Sequence, residues 1–171
     1  MSTEIYYFSG TGNSLHVAKE LQKRIPEANL IPMVSLFNKD IIETNEETVG
    51  FVFPIHLMTI PWNVKSFIEK LDVKSAKYIF AIVTRIGSPC STAFTRIEKI
   101  LKKKGKSLDS YLILNMASND PKFKPWHAAT EEEIANFGSE IQDRLNSFQN
   151  IITSKVKYHE KDIGVCQDSC R

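Results

Sequence analysis

Cysteine is scarce in this sequence, and the three present, Cys90, Cys166 and Cys170, are odd in number and unevenly spaced. An odd count behind no secretory leader argues against a disulfide framework, and the C-x3-C pair near the end falls short of the four thiolates that a structural zinc or iron–sulfur cluster takes. Glycine and proline are also sparse, seven of each in 171 residues, which sets aside collagen-like and low-complexity disordered classes. No apolar run approaches the roughly 20 residues that a membrane helix needs. Charge of one sign is not in excess either: 22 Lys and Arg stand against 20 Asp and Glu, a formal charge of +2, too balanced to mark a nucleic-acid-binding chain. Met1 to Glu4 lead straight into Ile5-Tyr6-Tyr7-Phe8 without a basic leader or a small-residue cleavage site. A cytoplasmic location follows as the expectation, with neither nucleic acid nor membrane as a partner.

What remains is an ordinary globular composition, 42% apolar and 25% charged, in a chain long enough to bury roughly 70% of its unfolded surface in one domain. Short apolar runs alternate with segments of helical period. The pattern predicts strands over Glu4 to Phe8, Asn29 to Ser35, Thr48 to Phe53, Lys77 to Thr84 and Ser107 to Met116. Helices are expected over Ser14 to Arg24, Trp62 to Leu71, Thr92 to Lys104 and Glu131 to Ile152, the last with Ile134, Phe137, Ile141, Leu145 and Phe148 recurring at three or four. The connection from Leu36 to Glu47 has little periodicity and promises only a short or irregular helix. Ile5 to Phe8, Val49 to Phe53 and Tyr78 to Val83 are almost continuously apolar, as strands covered on both faces are, so a parallel sheet is implied. The expected architecture is one doubly wound α/β domain over 1–153, a five-stranded sheet between two helical layers, with 154–171 as a tail. Lys99, Lys102, Lys103, Lys104 and Lys106 gather at one helix end, as a solvated face or as a docking patch for an acidic partner.

In such a sheet ligands bind outside the carboxyl ends of the strands. Ser9-Gly10-Thr11-Gly12-Asn13-Ser14 occupies that position after the first strand and opens a helix, so its backbone N–H groups can converge on an anion. Gly10 and Gly12 permit close backbone approach, and Ser9, Thr11, Asn13 and Ser14 add neutral polar groups. Lys and Arg are missing from the loop, which suits a terminal phosphate monoester more than a triphosphate with magnesium. Competing loops fail on their own requirements. G-x4-G-K-S/T does not occur, and G-x-G-x-x-G is half present because Gly10-Thr11-Gly12 leads to Leu15. The Asp that phospho-receiver domains carry at the end of strand 3 is replaced by Pro54.

Phe8-Ser9-Gly10-Thr11-Gly12-Asn13-Ser14 resembles the phosphate-binding loop of flavodoxins, T/S-x-T-G-N-S/T, and the likeness runs through the succession of elements to about Ile152. It is most similar to the flavodoxin-like domains of anaerobes that are often joined to a ferredoxin-type domain, of which this sequence carries no counterpart. The resemblance implies the strand order 2-1-3-4-5 and flavin mononucleotide (FMN) as cofactor. It places the phosphate on Ser9, Thr11, Gly12, Asn13 and Ser14 and the flavin ring between two later loops. The first of these, from Pro54, Ile55, His56 and Leu57 to Trp62, is unusually apolar for a surface segment. His56, Met58 or Trp62 lies near the ring in this reading; otherwise His56 is a surface histidine and Trp62 packs into the core. No glycine occurs between Phe51 and Ser66, so a turn needing φ > 0 here falls on residues such as Leu57, Met58 or Thr59. The second loop, Thr84-Arg85-Ile86-Gly87-Ser88-Pro89-Cys90, offers backbone N–H groups to the ring edge but lacks the Tyr that flavodoxins often stack there. Residues 117–130, with Lys122, Phe123, Lys124, Trp126 and His127, read as a lid or partner surface, unless Trp126 caps the core. The implied function is electron transfer, as a carrier or an FMN-dependent oxidoreductase, with ferredoxin-type proteins or reductases as redox partners. The alternative from another class is a flavin-free interaction module that keeps the fold.

Overall fold

The computed structural model describes residues 3–87, 91–118 and 129–161. The two segments that are apolar throughout form the middle of the sheet: β4 (Thr48–Pro54) and β6 (Tyr78–Arg85) are buried at every position but the last. β1 (Thr3–Tyr7) and β2 (Ala28–Pro32) extend the sheet on one side, β7 (Ser110–Asn115) and β8 (Tyr158–His159) on the other. All pairs are parallel, in the order β2-β1-β4-β6-β7-β8. The expectation of five strands is therefore corrected to six. β8 is only two residues long and carries no periodic signal; Tyr158 N donates to Asp109 O at 3.1 Å, and the Glu160 carboxylate beyond it accepts from Ile113 N at 2.5 Å. β2 also stops at Pro32 rather than Ser35, because Met33–Leu36 turn into a 3-10 helix.

The pleat sends alternate side chains into two cores. Val49, Phe51, Phe53, Ile79, Ala81 and Val83 meet α2 (Trp62–Lys70) and α3 (Ala93–Lys102) through Val64, Phe67, Ile97 and Leu101. Ile5, Val52, Phe80, Ile82 and Leu112 face the other way, onto Val17 and Leu21 of α1 (Asn13–Arg24) and Ile141, Leu145 and Phe148 of α4 (Glu131–Thr153). In β4 the position between Val49 and Phe51 is Gly50, where a Cβ would lie 2.1 Å from the Phe80 ring. The aromatic ring fills the space that a side chain would take.

Helix α4 begins at a capping box: Glu133 N donates to Thr130 Oγ1 at 3.2 Å and Thr130 N to Glu133 Oε2 at 2.8 Å. Its apolar stripe is buried from Ile141 onward, whereas Ile134, expected on that stripe, is exposed. The aperiodic connection holds no α-helix; it contributes β3 (Ile42–Glu43), which pairs with β5 (Leu71–Asp72) off the main sheet. Lysines fasten this region. Lys70 Nζ donates to the Phe37 and Lys39 carbonyls, and Lys104 Nζ to Glu69 and Leu71 O at 2.8 Å, satisfying carbonyls that the end of α2 leaves open. Burial lowers the Lys104 pKa. Lys106 does the same for Lys74 and Ala76 O, so two of the five clustered lysines tie segments together, while Lys99, Lys102 and Lys103 are exposed.

Candidate functional site

Because every strand of the sheet is parallel, the loops after β1, β4, β6 and β7 emerge at one edge. The turn after β1 delivers the chain to α1 through Gly12, whose φ of 104° is a left-handed conformation open to glycine. Helix α1 starts where His16 N donates to Gly12 O, with no side-chain cap and no acidic residue in its first turn. Its positive end therefore opens onto the loop, where an anion is stabilised. Ser9 Oγ accepts from Gly12 N at 3.2 Å and braces the turn. Gly10, Thr11 and Gly12 are exposed, and a Cβ added at Gly10 or Gly12 would meet nothing within 4 Å. Gly10 has no left-handed φ, so neither its backbone nor its neighbours require glycine. An exposed loop without charged side chains, at the positive end of a helix, fits a phosphate monoester.

The end of the loop turns inward. Ser14 is buried, and its hydroxyl lies 2.8 Å from Thr84 Oγ1, itself buried at the end of β6. The two side chains lock α1 to the sheet; what Ser14 offers toward the loop is its backbone. Asn13 Nδ2 reaches Ala117 O at 3.3 Å, joining the first loop to the one after β7.

Pro54 and Ile55 leave β4 half-buried, Ile55 N donating to Thr84 O at 2.9 Å. His56 is exposed, its ring edge-on to Phe8 at 6.5 Å between centroids. His56 and Thr59 exchange both backbone hydrogen bonds at 2.9 Å, closing a two-residue hairpin whose central Leu57 and Met58 have φ of 47° and 63°. Both signs belong to a type I′ turn, normally Asn-Gly or Gly-Gly. Leu57 is 97% exposed. Thr92 N, at the start of α3, donates to Met58 O at 2.9 Å, and Thr92 Oγ1 lies 3.1 Å from Thr59 Oγ1. This clip has no local sequence signal, since its partners are 34 positions apart.

From β6, Arg85 directs Nε to Asn115 Oδ1 at 2.9 Å, which holds its guanidinium along β7. Ile86 is half-buried and Gly87 exposed with a φ of 73°. Trp62, with core packing as one reading, is 72% exposed at the first turn of α2, because the helix turns Val64, Phe67 and Ile68 inward instead. Ser88, Pro89, Cys90, Lys122, Phe123, Lys124, Trp126, His127, Cys166 and Cys170 lie outside the described residues. A separate hollow of about 420 Å³, lined by Glu4, Tyr6, Ile31, Leu36, Lys39 and Ile42 among others, sits under the aperiodic connection rather than at the loop edge. There Tyr6 OH donates to Glu4 at 2.5 Å, and burial foremost raises the phenol's pKa.

No described helix is long and apolar enough to cross a membrane. Neither a protein-family model nor a curated protein matches the chain. Solved structures do match in fold. Flavodoxin 2 from Bacillus cereus aligns at 17% identity over 91% of this chain and 99% of its own, with a TM-score of 0.56. The flavodoxin of Streptococcus pneumonia TIGR4 aligns at 15% identity over 91% and 100%, with a TM-score of 0.54. The Trp repressor binding protein from Bacillus subtilis aligns at 15% over 89% and 97%, with a TM-score of 0.52. The chain has the flavodoxin-like α/β fold.

Proposed function

We propose that this flavodoxin-fold chain binds FMN at the loop edge and serves electron transfer. FMN supplies a ring that accepts and returns electrons. The chain's own contribution is to bind and orient it. Ser9, Gly10, Thr11, Gly12, Asn13 and Ser14 would hold the phosphate, chiefly through backbone N–H groups at the positive end of α1. Pro54, Ile55, His56 and Leu57 on one side, and Thr84, Arg85, Ile86 and Gly87 on the other, would border the ring. The observation that carries this reading is the start of α1, which the chain enters through Gly12 in a left-handed conformation and which has neither a side-chain cap nor an acidic residue in its first turn. An exposed helix start of this kind, at the carboxyl edge of a parallel sheet, is where an anion is stabilised.

Purified protein titrated with FMN should quench flavin fluorescence at one equivalent and shift the flavin absorption bands. Gly12→Val should weaken binding at least about tenfold, the equivalent of about 1.4 kcal/mol, because a β-branched residue does not hold the left-handed turn that presents the loop's N–H groups. A protein that stays colourless with excess FMN would favour the interaction-module reading instead.

A further inference from the structure

We propose that the face formed by the 56–59 turn and the first turns of α2 and α3 docks an acidic electron-carrier protein; the proposal rests on the FMN reading, because it places the partner beside the candidate ring site. Leu57, Met58 and Trp62 are large apolar side chains left in solvent, Leu57 almost entirely so. They sit within six residues of one another on a loop that the Thr92 clip holds in place. Exposed apolar groups on a fixed surface are the usual centre of a protein contact.

The charge around them is positive. Lys65 Nζ stands 5.2 Å from the Trp62 ring centroid, and Arg96 Nε donates to Thr92 Oγ1 at 3.3 Å, directly behind the turn. Lys99 is exposed one turn further along α3. Neither α2 nor α3 has an acidic residue in its first turn, so their positive dipole ends add to the same field. Among the described residues, Glu69 pairs with Lys65 at 3.3 Å, which leaves Arg96 and Lys99 as the net positive charge, and half-buried Glu98 accepts from Leu108 N and pairs with Lys102 at 3.6 Å. The acidic run Glu131, Glu132 and Glu133 lies at the start of α4, in the opposite helical layer. A partner with an acidic rim around an apolar centre is thus attracted to the α2/α3 side and repelled from the α4 side, which fixes orientation as well as sign. Among the described residues, three cations, one of them already paired with Glu69, stand beside three apolar side chains, fewer than the 4–8 that anionic lipid surfaces recruit, which favours a protein over a membrane.

The test is binding, measured on flavin-free and FMN-loaded protein alike, so that its outcome is independent of whether FMN binds. The probes are an acidic [2Fe–2S] ferredoxin and a basic cytochrome c, followed by surface-immobilised binding and by Trp62 fluorescence, with Trp62→Phe to assign the signal. The ferredoxin should bind, weaken with added salt, and lose about tenfold in affinity on Lys65→Glu with Arg96→Glu, whereas Glu131→Lys with Glu132→Lys should have little effect. Tighter binding of the cytochrome, or ferredoxin binding indifferent to the Lys65 and Arg96 reversals, would overturn the proposal. So would a Trp62 response confined to vesicles containing phosphatidylserine, or loss of Trp62 exposure through dimer formation in sedimentation.

Discussion

Leu57 and Met58 occupy backbone conformations that L side chains avoid, each costing on the order of 1–2 kcal/mol. The absence of glycine from Phe51 to Ser66 foretells that any such turn must fall on residues of this kind; which two it takes is decided by the paired hydrogen bonds of His56 and Thr59 and by the clip from Thr92. Non-glycine residues persist at such positions where the surroundings over-determine them, and they concentrate at functional sites. Met58→Gly should therefore stabilise the protein by about 0.5–1 kcal/mol, the relieved strain exceeding the added freedom of the unfolded chain. Urea denaturation checks this. A destabilised Met58→Gly variant would mean that the Met58 side chain contributes more by packing than its half-exposure suggests. Ser14 makes the opposite point about reading residues singly. Its place in the loop motif suggests a hydroxyl directed at phosphate, yet its side chain is spent on Thr84, 70 positions away.

Between elements, polar contacts set pH and stability behaviour that no apolar pattern announces. Helices α1 and α4 meet through Arg24, whose Nε donates to Asn146 Oδ1 at 2.8 Å and whose guanidinium also bonds Gln142. Glu20 anchors the group: a hydrogen bond from Lys23 first, then those from Gln142 and Arg24, outweigh burial and hold its carboxyl at about 2. That value lies below the ordinary carboxylate range, so its stabilisation is complete above about 4.5 and disappears as the pH falls toward 2. Glu20→Gln should accordingly lose less stability than the parent between pH 5 and pH 2.5, read as the shift in urea midpoint. At the sheet edge Glu160 accepts from the buried Ile113 and pairs with Arg144. Glu160→Ala should cost about 1.5–3 kcal/mol, since it strands a buried donor, and should speed amide exchange at Ile113. Unchanged exchange there would show that another acceptor takes over.

Across the whole molecule, the sequence is legible wherever burial on two faces imposes a pattern. The continuous apolar runs of β4 and β6, and the inward residues of α3, follow from the layered architecture itself. Legibility fails where one side chain serves a distant backbone. Lys104 on Glu69 O, Glu160 on Ile113 N and Thr92 on Met58 O span 34 to 47 positions and leave no periodic trace. For the same reason β8 goes unseen, a strand two residues long whose pairing is completed by a carboxylate. That carboxylate has a further consequence. A parallel sheet ending in an open strand presents a template onto which another chain can add, the first step of edge-to-edge aggregation. Here growth is hindered at both margins. Beyond β8 a charged side chain already holds the next donor of β7, and at the other margin β2 is short, ends in Pro32 without an N–H, and has its Ala28 carbonyl taken by Gln22. Crowded solutions of this protein should therefore stay clear of fibrillar, strand-templated deposits until the sheet itself begins to open.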